Sequence, residues 1–192
     1  YTSQDPTPGA TVIRAHFQGM GAFGEGMAEW DGKPLYVPYA IPGEEADVEI
    51  TKAGRSYSRG RLLKIHTPSP NRTAPRCPYF GVCSGCQLQH IEYAFQLELK
   101  RQMVSDQLCR LGGFQAPLVQ PPVPCEDPWY YRNRADFTVG PEGKLGFVQR
   151  ESRRFLHIEQ CPIMHPRINE ALAQLQGQSA ETTALSVRYG IR

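Results

Sequence analysis

The sequence predicts a mainly β protein, a small five-stranded OB-like barrel followed by a second, α+β unit. Three observations carry this expectation. Short runs of alternating side chains separated by turn signals fill residues 11–67, a single clear helical period follows near residue 93, and two proline-rich stretches punctuate the 192-residue chain. Composition agrees: 21 Lys and Arg against 19 Asp and Glu, 40% hydrophobic residues, 18 Gly and 17 Pro describe a turn-rich globular protein. Collagen, with Gly at every third residue, and simple disorder, with few apolar residues and high net charge, are both excluded. No run approaches the ~18 apolar residues of a spanning helix, and Tyr1 to Ala10 lacks the charged-then-apolar layout of a signal peptide. A cytoplasmic monomer with no membrane partner is therefore expected.

Residues 1–10, with two prolines and no apolar run, form a flexible lead-in. Thr11 to Gln18 has the two-residue period of a strand, and further strands are predicted over Gly26–Trp30, Leu35–Tyr39, Ala46–Lys52 and Ser58–His66. Asp31-Gly32, Pro42-Gly43 and Gly54 mark the turns between them. Five such strands with no helical period suggest a closed barrel without free edges. Residues 68–76 hold three prolines and serve as an extended linker, after which residues 77–192 form a second domain. Within it Tyr93 to Leu111 is the clearest helix, with Tyr93, Leu97, Val104, Leu108 and Leu111 as its apolar stripe and Gly112-Gly113 as its stop. Pro117 to Pro128 is a second connector. Phe137–Val139 and Leu145–Gln149 flank Pro141-Glu142-Gly143 as a hairpin, Phe155–Ile158 adds a strand, Arg167–Gln176 an amphipathic helix, and Ala184–Arg192 a last strand. Because that strand stops without a turn or cap, the chain is expected to be part of a longer protein.

Six cysteines without an export signal favour metal ligation over disulfides. Cys77, Cys83 and Cys86 form C-x5-C-x2-C, and Cys161 returns far downstream, so four thiolates can meet at one site. Cys77-Pro78 and Cys161-Pro162 are both Cys-Pro pairs, and Gly81, Ser84 and Gly85 allow the loop to fold tightly around sulfur. Four soft thiolates suit zinc or an iron–sulfur cluster. Three ligands in one loop with a remote fourth favour the cluster over the paired short knuckles of structural zinc. Cys109 and Cys125 are read as ordinary small side chains.

Gly19-Met20-Gly21-Ala22-Phe23-Gly24 matches the G-x-G-x-x-G pattern of dinucleotide sites. Gly26, Asp31-Gly32 and Pro34 leave no room for the helix whose N-terminus would hold the phosphates, so the segment is read as a turn between strands.

Charge is unevenly placed. From Thr51 to Arg76 the chain carries Lys52, Arg55, Arg59, Arg61, Lys64, Arg72 and Arg76 and no acid, whereas Glu44, Glu45, Asp47 and Glu49 precede that run. Tyr57, Tyr79 and Phe80 interleave with it, and Trp129, Tyr130, Tyr131, Arg132 and Arg134 form a second cluster. Cations interleaved with stacking faces are what RNA binding uses. Candidate RNA contacts are Arg55, Tyr57, Arg59, Arg61, Lys64, Arg132 and Arg134, with Arg59 and Arg61 on one strand face.

The succession Gly24-Glu25-Gly26, Asp31-Gly32, Val37-Pro38, Pro42-Gly43-Glu44, Tyr57, Gly60, Ile65 and Ser69-Pro70 resembles a TRAM domain, a small RNA-binding barrel. The loop from Cys77-Pro78-Tyr79-Phe80-Gly81 through Cys83-Ser84-Gly85-Cys86 to Gln89-His90 resembles that of the 23S rRNA uracil-5-methyltransferase family, as do Tyr131-Arg132-Asn133-Arg134 and Cys161-Pro162. The resemblance implies a [4Fe-4S] cluster on Cys77, Cys83, Cys86 and Cys161, RNA as partner, with 23S rRNA foremost, and S-adenosylmethionine bound by a C-terminal domain beyond Arg192 that also holds the catalytic residues. The chain is thus expected to be inactive alone. Two alternatives stand beside it: a stand-alone barrel with a structural zinc site, and a tRNA-directed uracil-5-methyltransferase. A TRAM-bearing radical enzyme that modifies tRNA fits neither the cysteine spacing nor the order of the domains.

Overall fold

The computed structural model describes residues 5–115, 118–178 and 181–190. The chain divides into two compact units, one built from the chain up to Ala74 with Gln87–Val123, the other from Pro75–Cys86 with the chain from Pro124 onward.

The first unit contains β1 (Val12–His16), β2 (Gly19–Met20), β3 (Glu25–Trp30), β4 (Lys33–Pro38), β5 (Glu45–Ala53) and β6 (Ser58–Thr67) in one sheet of order β1-β5-β6-β4-β3-β2. Six strands replace the five expected, because Gly19 and Met20, read as turn, pair with Met27 and Gly26. The chain changes partner at Phe17 and Gln18: the Phe17 N–H donates to Glu44 O at 3.0 Å and the Gln18 N–H to Met27 O at 2.9 Å. Val12–Met20 is therefore one bent stretch that supplies both ends of the strand order, and the sheet curls to meet it. The turn proper runs from Gly21 to Gly24, and no helix starts there.

Alternation sets the inner face: Ala46 and Val48 of β5 join Ala15, Phe17, Ala28, Leu35, Val37 and Ala40 in the core, while Asp47 stays at the surface. Asp31 and Gly32, both at positive φ (53° and 66°), make the two-residue connection from β3 to β4 that the sequence signalled. Gly60 faces inward on β6, where a Cβ would stand 2.4 Å from Val48 Cγ1.

Two segments read as loose are fastened to this sheet. In the lead-in, whose residues 1–4 lie outside the described ones, Thr7 donates its N–H and Oγ1 to the Glu49 carboxylate at 3.2 and 2.8 Å. In the linker, Arg72 grips the fully buried Glu44 through Nε at 2.6 Å and Nη2 at 2.8 Å, and Ser69 N–H adds a bond at 3.1 Å. Arg72 Nη2 also donates to Tyr39 O at 2.7 Å.

Helix α1 (Tyr93–Arg110) belongs to this first unit, whereas the sequence placed a single boundary at residue 77. Its buried face is Phe95, Leu99 and Met103, which pack with Met20, Ile41 and Ile91. The expected stripe points elsewhere: Val104 and Leu108 are exposed, and so is Leu111 beyond the helix end. Apolar residues are spread around the helix, so the side that is buried is chosen by Leu88 and Ile91, which lead into it, and not by periodicity alone.

The second unit contains β7 (Arg134–Val139), a 3-10 turn at Pro141–Gly143, β8 (Leu145–Val148), β9 (Phe155–His157), α2 (Pro166–Leu175) and β10 (Ala184–Arg188), with sheet order β10-β7-β8-β9. Ile168 and Leu172 of α2 cover the sheet's Ala135, Phe137 and Leu145. Pro166 takes the first helical turn, and the His165 Nδ1 accepts the Arg167 N–H at 3.2 Å. The last strand ends at Arg188, and its expected continuation to residues 191–192 lies outside the described residues, as does Pro117 of the second connector. Among the described residues no helix is long and apolar enough to cross a membrane.

Candidate cofactor site and nucleic-acid faces

Cys77, Cys83, Cys86 and Cys161 all fall in the second unit and all are half-buried free thiols. The two Cys-Pro pairs make the same turn: Phe80 N–H donates to Cys77 O and Met164 N–H to Cys161 O, each at 3.1 Å. In both turns the residues two and three past the cysteine aim their N–H groups at its sulfur, Tyr79 and Phe80 at Cys77, Ile163 and Met164 at Cys161. Proline between them has no N–H to donate and holds φ.

Tyr79 ties the two turns together, since its Oη accepts the Glu159 N–H at 3.1 Å. The rest of the loop is anchored on the end of β8: Ser84 N–H donates to Val148 O at 3.1 Å and Arg150 N–H to Val82 O at 2.9 Å. Burial pushes the Cys161 thiol up to about 11 and the Cys77 thiol upward as well, with the neighbouring cysteines adding to both, while the backbone N–H groups pull the other way. A site that disfavours isolated thiolates yet presents donors to sulfur suits a bound cation that would carry the opposing charge. As they stand, no three His, Cys, Asp or Glu side chains among the described residues share a position that would hold one metal ion.

Beside this loop, the expected aromatic cluster divides. Arg76 is held between Trp129 and Tyr130, its Cζ 5.1 Å from each ring centroid, and donates to Tyr130 Oη at 2.7 Å. Arg134 is paired with Asp136 at 3.0 Å. Arg132 is exposed, and with Asn133, Arg134, Asp136 and Phe147 it lines an open depression of about 490 Å³.

On the first unit the register of β5 against β6 sorts the basic run. Asp47 stands opposite Lys64 and Glu49 opposite Arg61, so the acids that precede the run in sequence lie beside it in space. Arg61 Nη2 donates to the buried Glu49 at 2.6 Å, holding that carboxyl below its usual range, and Arg72 is committed to Glu44. His66 and Arg14 hold Asp47 low in the same way. Lys52, Arg55, Arg59 and Lys64 make no ion pair among the described residues. Arg59 lies 5.8 Å from the centroid of Tyr57, which is 38% exposed and meets Tyr36 edge to face at 6.0 Å.

The structure thus sets Arg59 over Tyr57, leaves Arg55 exposed in the turn before β6, places Lys64 further along that strand, and commits Arg61 to Glu49. Tyr36 was missed because it reaches Tyr57 through the parallel pairing of β4 with β6, a register that no local pattern announces.

Residues 10–63 match the TRAM domain family. A protein of Halalkalibacterium halodurans named an uncharacterized RNA methyltransferase is 36% identical over 93% of this chain and 40% of its own length. The 23S rRNA (uracil(1939)-C(5))-methyltransferases of Alkalilimnicola ehrlichii and Vibrio cholerae are 36% and 35% identical, each over 82% of this chain and over 36% and 37% of their own length. The chain thus spans about two fifths of the curated relatives it matches. In fold it resembles the Pyrococcus abyssi tRNA (uracil-54, C5)-methyltransferase, solved with S-adenosyl-L-homocysteine, with a TM-score of 0.58 at 24% identity over 92% of this chain and 42% of the other. The chain carries a match to the TRAM domain and is similar in sequence to proteins named as RNA methyltransferases, among them 23S rRNA uracil-C5 enzymes.

Proposed function

We propose that this chain is the RNA-holding portion of an S-adenosylmethionine-dependent RNA uracil-C5 methyltransferase acting on 23S rRNA. The observation that carries the RNA reading is the sorting of the basic run, which leaves Lys52, Arg55 and Arg59 exposed, with Arg59 over the Tyr57 ring, while Arg61 and Arg72 serve the fold. Outward cations neutralise phosphates and the tyrosine offers a base a stacking face, a combination that holds a strand with little sequence preference. Arg132 and Arg134 extend the same function on the second unit. S-adenosylmethionine would supply the methyl group, and its binding and the catalytic residues are assigned to sequence outside these 192 residues, a division supported by the share of the relatives' length that this chain covers.

Cys77, Cys83, Cys86 and Cys161 are proposed as the ligands of a [4Fe-4S] cluster. The matched Cys-Pro turns support this, because a cluster's sulfur-borne charge is stabilised by backbone N–H donors of the kind both turns present. The test is made on the full-length protein purified anaerobically. Brown colour with about four iron atoms per chain, and methyl transfer from labelled S-adenosylmethionine to a 23S rRNA transcript over a tRNA transcript, are expected. Colourless protein holding zinc would replace the cluster reading, and transfer to tRNA alone would replace the rRNA reading.

A further inference from the structure

Asn169 is the fourth residue of α2, a position where an asparagine costs helix stability unless its side chain is used elsewhere. It is used. Its Oδ1 accepts the Cys161 N–H at 2.8 Å, and its Nδ2 donates to Cys161 O at 3.1 Å and to Met164 O at 3.2 Å. One carboxamide thus closes both ends of the turn that carries Cys161, and it does so from a helix whose neighbouring Ile168 is fully buried in the core.

The same turn sets a second element. The carbonyls inside it accept backbone donors from the segment before β7, Tyr130 N–H to Pro162 O at 3.1 Å and Arg132 N–H to Ile163 O at 2.8 Å, and the His165 N–H returns to Arg132 O at 2.8 Å. The chain at Arg132, which lines the open depression, is therefore held in register by the turn that Asn169 closes. A shift of the turn displaces the Cys161 sulfur and the Arg132 backbone together.

We propose that Asn169 is a positioning residue that fixes Cys161 for ligation and couples the cysteine site to the RNA-facing segment at Arg132. The ligation half rests on the cluster reading above. The coupling half rests on hydrogen bonds of this chain alone, so the two can fail separately. Residues outside a ligand set that orient the ligands change metal affinity by about 10- to 100-fold when removed.

The full-length protein is compared with Asn169→Ala, with Asn169→Asp, which keeps the acceptor and loses both donors, and with Gln176→Ala. Gln176 is the matched control: its carboxamide bonds Leu145 and Ile158 from the end of the same helix and touches neither Cys161 nor Met164. On metal-free, reduced protein, the rate of Cys161 alkylation by iodoacetamide is read by peptide mass against exposed Cys109. Both Asn169 variants are expected to raise the ratio of Cys161 to Cys109 and to speed hydrogen exchange at Arg132, whereas Gln176→Ala leaves both unchanged. Cobalt(II) titration, followed by its thiolate absorption, is expected to weaken about tenfold for Asn169→Ala. An unchanged alkylation ratio and exchange rate in both Asn169 variants overturns the proposal, and Asn169→Asp decides it if the alanine variant fails to fold. Wild-type protein that takes up neither cobalt nor iron, with the alkylation and exchange effects present, overturns the cofactor reading and leaves the coupling standing.

Discussion

Glu44 is fully buried and its two carboxylate oxygens accept four hydrogen bonds, from Ile41 N–H, Ser69 N–H and two nitrogens of Arg72. Arg72→Met would leave that carboxylate buried without its cation, and a loss of roughly 3 to 5 kcal/mol is expected in a denaturant melt. His90, also fully buried, meets Tyr39 edge to face at 5.9 Å, and burial with the nearby Arg72 charge lowers its pKa to about 3. The unfolded chain takes up a proton near the ordinary value of 6.5 and the folded chain does not. Stability is therefore complete above that pH and falls by up to about 1.4 kcal/mol per unit as the pH drops from 6.5 towards 3. His90→Gln, which cannot titrate, is expected to lose less stability between pH 7 and pH 4, as read by urea midpoints at both; an equal loss would remove His90 as the cause. Pro42-Gly43-Glu44 was visible as a motif in the sequence, but its partner Arg72 looked like one more cation in a basic run. Pairing over 28 residues leaves no local trace.

At the scale of elements, β6 shows how one strand divides its labour. Arg59→Ala is expected to leave the melting temperature near that of the parent and to reduce the slope of RNA affinity against salt by about one. Arg61→Ala should do the reverse, lowering the melting temperature because Glu49 loses its cation, with a smaller effect on the slope. Strand positions in the first unit were legible because alternation and Asp31-Gly32 act locally; the charge sorting was not, since it depends on the β5–β6 register and its bulges. Helix α1 repeats the lesson. Its limits could be read to within a residue, yet its buried side could not. Leu99→Ala is expected to cost roughly 2 to 5 kcal/mol, whereas Val104→Gln should stay within about 0.5 kcal/mol, and thermal melts of the 192-residue chain compare them directly.

Across the whole molecule, the chain passes between its two units three times, after Ala74, Cys86 and Val123. Three of the candidate ligands therefore sit in a twelve-residue excursion that interrupts the sequence of the other unit, and the fourth comes much later. On the ribosome, Cys77, Cys83 and Cys86 leave the exit tunnel well before Cys161 has been made, an interval of several seconds at typical elongation rates. During that interval the curled sheet has all its strands, but the cysteine loop has neither the end of β8 nor the Cys161 turn to hold it. Under the proposed cluster reading, the full set of four ligands exists only once the second unit has been made, and the three early thiols wait reduced until the Cys161 turn joins them.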